Sequence, residues 1–64
     1  MVKINGKLME ADGMKLVDYL ASAGYDEKKI AVEINEEIVP KSCYSETKFC
    51  DGDTVEVVSF VGGG

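Results

Sequence analysis

The residues with the most chemical promise are Val61-Gly62-Gly63-Gly64. Glycine has no side chain, so such a tail can thread a narrow channel in another protein. Gly64 carries the α-carboxylate. A carboxylate can attack the α-phosphorus of a nucleotide and become an acyl-adenylate, a mixed anhydride open to a sulfur or nitrogen nucleophile. The tail follows Phe60 and Val61 with no polar spacer, so whatever holds the preceding strand fixes its base. The plain alternative is a frayed terminus. A nucleotide cradle does not fit: glycine loops that hold phosphate run from a strand into a helix, and no helix follows these glycines.

Side-chain catalysis has little to work with. The chain has no histidine, so neither a Ser–His nor a Cys–His pair can form. Cys43 and Cys50 stand seven positions apart, without zinc-site spacing, and read as structural or incidental thiols. Asp51-Gly52-Asp53 has the beginning of calcium-loop spacing but lacks the further ligands and the closing glutamate. It reads as a turn. No metal site is expected. A chain of 64 residues also has little room for a substrate cleft, which typically needs roughly 300–1,000 Å³.

The bulk properties set the remaining bounds. The length allows one domain, expected over residues 1–61 with a flexible tail over 62–64. A formal net charge of −5, from 12 acidic and 7 basic side chains, argues against nucleic acid as a partner. No apolar run approaches the ~20 residues of a membrane span. The opening "MVKING" lacks the layout of a signal peptide, so a cytoplasmic location is expected.

The elements that must position the tail follow from pattern. Val2 and Ile4 alternate with polar residues, Asn5-Gly6 is the preferred type I′ turn pair, and Leu8 lies on the return strand. The stretch from Ala11 to Gly24 predicts a helix started by Asp12 and stopped by Gly24. Its buried face is predicted at Met14, Val17, Leu20 and Ala21, with Leu16 beside it and Ala23 extending it. Ile30, Val32 and Ile34 then alternate with Ala31 and Glu33. A turn at Asn35-Glu36 leads into a short strand from Glu37 to Val39, ended by Pro40. Residues 41–49 read as a loop with one short helical turn, tucked onto the core by Tyr44 and Phe49. The last strand runs from Thr54 to about Phe60. Val55 and Val57 face one side of it; Thr54, Glu56, Val58 and Phe60 face the other.

The order β-β-α-β-β-β predicts an α+β fold, a mixed sheet with one main helix packed on one face. The compact solution places the last strand parallel to the first, the β-grasp (ubiquitin-like) arrangement. Several strand orders satisfy the pattern. If the helix covers Val55 and Val57, then Val58, Phe60 and Val61 form an exposed apolar patch beside the tail and mark a docking site. The alternative is that Phe60 completes the core.

Three stretches, "VKINGK", "VEINEEIVPKSCYSE" and "DGDTVEVVSFVGGG", carry a resemblance. Together they span essentially the whole chain, which resembles the ThiS family of sulfur carrier proteins of thiamine biosynthesis. Ile34 to Pro40 is similar to that family's Asn-x-x-Ile-Val-Pro segment. The Asp-Gly-Asp turn, apolar strand and Gly-Gly end are similar to its C-terminal signature. The resemblance implies a terminal carboxylate, at Gly64 with Gly63 as its partner and Gly62 as an extra joint, that becomes a thiocarboxylate. It implies two partners: a ThiF-like adenylating enzyme that uses ATP, and a ThiG-like thiazole synthase that receives the sulfur. It implies no catalytic residue and no permanently bound cofactor. Should the natural chain end one residue earlier, the reactive group moves to Gly63. Two other readings stay open: the related MoaD-like carrier of molybdopterin synthesis, and a ubiquitin-like interaction module with an inert tail.

Overall fold

The computed structural model describes residues 1–60. Five strands, β1 (Val2–Ile4), β2 (Lys7–Met9), β3 (Ile30–Ile34), β4 (Glu37–Ile38) and β5 (Thr54–Ser59), and one helix, α1 (Leu16–Ala23), make the fold. The strands form a single sheet in the order β2-β1-β5-β3-β4. β1 and β5 run parallel, with Ile4 opposite Val55; every other neighbouring pair is antiparallel. The expected α+β sheet with one main helix, and the parallel pairing of last strand with first, are both observed.

Local residue choice explains most of the turns. Asn5 and Gly6 have φ of 50° and 84°, as a type I′ turn demands at both central positions. Gly24 closes α1 in the left-handed region at φ 81°, its N–H donating back to Ala21 O.

The start of the helix differs from expectation. α1 begins at Leu16, not near Asp12, and its cap position, Lys15, makes no side-chain capping bond. The backbone before it is otherwise engaged. Gly13 N donates to Phe49 O, Phe49 N to Met14 O, and Leu16 N to Thr47 O, at 2.8–2.9 Å. Groups in that short ladder cannot also serve a helical turn. The Asp12 carboxylate instead meets the Met1 ammonium at 2.9 Å.

The buried face shifts with the start. Leu16 and Leu20, four apart, are the buried residues of α1, with Val17 half-buried. Ala21 and Ala23 are exposed, so Ala21 is not on the core face and Ala23 does not extend it. Met14 packs against the core from the turn before the helix.

Two further segments complete the core. A 3₁₀ turn at Glu27–Lys29, unexpected from the sequence, leads into β3; the Asp26 side chain caps it by accepting from Lys28 N at 2.9 Å. A longer one spans Lys41–Glu46 and drives Tyr44 into the core. Tyr44 and Phe49 are the largest fully buried side chains, as expected of them. Phe49 meets Tyr19 of the helix edge-on, ring centroids 5.8 Å apart. Val2, Ile4, Ile30, Val32, Val55 and Val57 supply the sheet's side of this core. β4 ends at Ile38, a residue short of expectation; Val39 N still donates to Val32 O.

Candidate functional site at the end of the central strand

β5 is the middle strand of five, so the tail leaves from the most constrained element of the sheet. Val55 and Val57 are buried against the helix side and anchor it. On one edge, β3 pairs with it over five residues, from Ile30 opposite Ser59 to Ile34 opposite Val55. On the other edge, Lys3 N donates to Asp53 O and Asn5 N to Val55 O, both at 2.9 Å. The Asn5 side-chain oxygen then accepts from Val57 N at 2.8 Å. Beyond Ser59 the pairing persists, with Phe60 N donating to Lys29 O at 2.7 Å. The backbone is therefore held to the last described residue.

The start of β5 is set with equal care. Gly52 takes φ 91° in the Asp51-Gly52-Asp53 turn. Asp53 accepts from Cys50 N at 2.8 Å and from the Asn35 amide at 3.0 Å. The Asn35 side-chain oxygen accepts from Thr54 N at 2.9 Å. Asn35 thus ties the β3–β4 turn to the head of β5. The Asp51 carboxylate meets the Met1 ammonium at 2.6 Å. The hydrogen bond to this ammonium, then its charge, holds the Asp51 carboxyl below its usual range. The bond the amine donates to Asp51, then that to Asp12, raises its pKa. The Asp-Gly-Asp segment is a turn, and its carboxylates are used in positioning. Cys43 is half-buried and Cys50 exposed, and both are free thiols.

Val58 and Phe60, expected as docking residues, are 53% and 54% exposed. Phe60 does not complete the core. Val61, the third expected docking residue, and Gly62, Gly63 and Gly64 lie outside the described residues. The face that Val58 shares is wider than the sequence suggested. Val58 pairs with Ala31, Glu56 with Glu33, and Glu33 in turn with Ile38, which is 72% exposed. Alternation along β3 and β5 already set Ala31, Glu33, Glu56 and Val58 apart from the core residues. Only the pairing of β3 with β5 brings the two sets onto one face. Among the described residues, no helix is long and apolar enough to cross a membrane.

Comparison with known proteins places this geometry. The family model described as "ThiS family" matches residues 2–64, a span that runs through the whole tail. The chain belongs to the ThiS family. It is 42% identical over 66 residues to the sulfur carrier protein ThiS of Bacillus subtilis, covering 100% of both chains. It is 45% identical over 62 residues to a thiazole synthase of Paramagnetospirillum magneticum, over 95% of this chain but 19% of that one. The chain thus spans only about a fifth of that longer relative. The crystal structure of ThiS from Geobacter metallireducens superposes with a TM-score of 0.76 at 28% identity, covering 98% of this chain and 97% of that one. The matched span includes the glycine tail, and the strand before it is the sheet's central member.

Proposed function

We propose that this chain is a sulfur carrier of thiamine biosynthesis acting through the carboxylate of Gly64. The observation that carries the reading is the family match over residues 2–64, which includes every tail glycine. A carboxylate oxygen attacks the α-phosphorus of ATP in a partner adenylating enzyme, and pyrophosphate leaves. Hydrosulfide then attacks the acyl carbon of the adenylate, a C–S bond forms, and AMP leaves. The product is a thiocarboxylate, a stronger nucleophile than the carboxylate and ionised at neutral pH. It is passed to a thiazole synthase, which builds the thiazole ring. The chain is a co-substrate in these steps and not their catalyst.

The geometry supports this division of labour. The carrier must present one terminal group inside another protein's site, and a narrow glycine arm on a rigid strand does so. Gly62 and Gly63 form the arm; Val58, Phe60 and Val61 form the docking patch at its base. The matches to thiazole synthases support that enzyme as the acceptor. The adenylating partner follows from the chemistry, because a free carboxylate does not exchange oxygen for sulfur without activation. The cytoplasm is the proposed location, consistent with two free cysteines.

Intact-mass measurement tests the reading. Incubation with the adenylating enzyme of the same genome, ATP and a sulfur source is expected to add the mass difference between sulfur and oxygen. No gain, under conditions that modify the Bacillus subtilis carrier, overturns it. Deletion of Gly64 is expected to abolish transfer; full transfer without it moves the reactive group to Gly63.

A further inference from the structure

The sheet face turned away from α1 carries a charge arrangement that the fold itself does not need. The register sets Glu33 of β3 directly opposite Glu56 of β5. Both lie on the outer face, because their chain neighbours Val32 and Val57 are buried in the core. Side chains so paired have Cβ atoms only about 4.5–5.5 Å apart, and like charges there destabilise a sheet. Neither glutamate has a cation at ion-pair distance: among the described residues, the ion pairs are those of the Met1 ammonium with Asp12 and Asp51. Lys3 shares this face, but it lies opposite Thr54, two residues along β5 from Glu56. Apolar side chains bracket the acidic pair. Ile38 stands beside Glu33 on β4, and Val58 opposite Ala31 forms the next cross-strand pair toward Phe60.

We propose that the Glu33–Glu56 pair seats a basic side chain of the adenylating enzyme, which is the first protein to take the tail, with Ile38, Val58 and Phe60 as its apolar collar. An arginine suits the seat best, since its planar guanidinium can donate to both carboxylates at once. The collar would exclude water and so strengthen the ion pairs. Continuity points to the occupant: the face runs through Val58 to Phe60, the last described residue before the tail that this enzyme takes. A second copy is disfavoured, because this chain carries a net charge of −5 and a two-fold contact here would set glutamates against glutamates. Nucleic acid is disfavoured by the same charge. The inference rests on the carrier reading only for the identity of the tail-receiving protein.

The test uses the full chain and the purified adenylating enzyme of the same genome, with Kd measured across a salt series. Glu33→Gln and Glu56→Gln are each expected to weaken binding roughly tenfold and to flatten its salt dependence. Each is also expected to raise the urea midpoint of the free carrier, because the repulsion is gone. A merely structural role would move stability and affinity in the same direction. Binding by both variants within about twofold of the original chain, with an unchanged salt slope, overturns the proposal. So does a lack of measurable binding by the original chain. Thiocarboxylate formation is read separately by mass. Loss of that mass gain with the binding pattern intact removes the carrier reading and leaves this one, and the converse result does the reverse.

Discussion

The side-chain oxygen of Asn5 accepts the backbone N–H of Val57 at 2.8 Å, across 52 positions of sequence. β1 ends at Ile4 as the chain turns away. The Asn5 side chain takes the place its carbonyl would have held had the strand continued. One residue thus forms the hairpin turn and extends the parallel ladder along the tail-bearing strand. Asn5→Gly keeps the positive φ and loses this bond together with the longer one from the Asn5 amide to the Tyr25 hydroxyl, with an expected loss of about 1 kcal/mol. Asn5→Ala adds left-handed strain of about 1–2 kcal/mol and is expected to be the worse of the two. Urea denaturation checks the order, and equal losses would break it. In both variants the Val57 amide is expected to exchange hydrogen faster relative to the rest of the core.

The two phenylalanines predict opposite outcomes. Phe49 is 1% exposed and packs on Tyr19, so Phe49→Ala is expected to cost about 3–5 kcal/mol. In a domain this small, that leaves little folded protein. Phe60 is half-exposed beside the tail, so Phe60→Ala is expected to change stability by no more than about 0.5 kcal/mol. Its effect is expected in the rate of thiocarboxylate formation, which should fall. Thermal melts and the mass assay on the same preparations separate the roles. A Phe60→Ala chain that unfolds but transfers sulfur normally while folded would place Phe60 with the core instead.

The turn between β3 and β4 holds strain at a known place. Asn35 and Glu36 have φ of 53° and 71°. Asparagine tolerates this region; glutamate does so at a cost of about 1–2 kcal/mol. Glycine would relieve that strain but lose more backbone entropy on folding, by about 0.5–1 kcal/mol. Glu36→Gly is therefore expected to stabilise the fold by roughly 0.5–1 kcal/mol, read as a higher urea midpoint with unchanged m-value. A lower midpoint would mean that Glu36 makes a stabilising contact that outweighs the strain.

The boundary between what the sequence disclosed and what it hid follows the range of the interaction. The Asn5-Gly6 turn, the stop at Gly24 and the alternation of β3 and β5 are set by residues adjacent in the chain, and each was legible. The start of α1 was not. Asp12 is a good capping residue, but Gly13 N and Leu16 N donate to residues 49 and 47, more than thirty positions away, and Met14 N donates back to Ala11 O. The burial of Leu16 at the expense of Ala21 follows from that later start. The docking patch was half legible. Strand parity separated Val58 and Phe60 from the core, but only the β3–β5 register puts Glu33 against Glu56 and brings Ile38 alongside.

The ammonium of Met1 between Asp12 and Asp51 makes the chain's stability depend on pH in a defined way. Asp51 has its pKa lowered from 3.8, chiefly by the hydrogen bond from this amine. Its contribution is therefore complete above that ordinary value and is lost as pH falls through the lower, folded one. The amine has its pKa raised from 8.0, chiefly by the same bond. Its contribution is complete below that value and is lost as pH rises through the higher, folded one. The interaction is thus at full strength between these limits. Asp51→Asn removes most of it. The urea midpoints of the original chain and the variant are expected to differ in that window and to converge at both ends. The groups are exposed, so the difference is small and screened, and it should shrink on moving to about 1 M salt. A difference that persists unchanged at strongly acidic and strongly alkaline pH would show that Asp51 acts through the turn geometry and not through its charge.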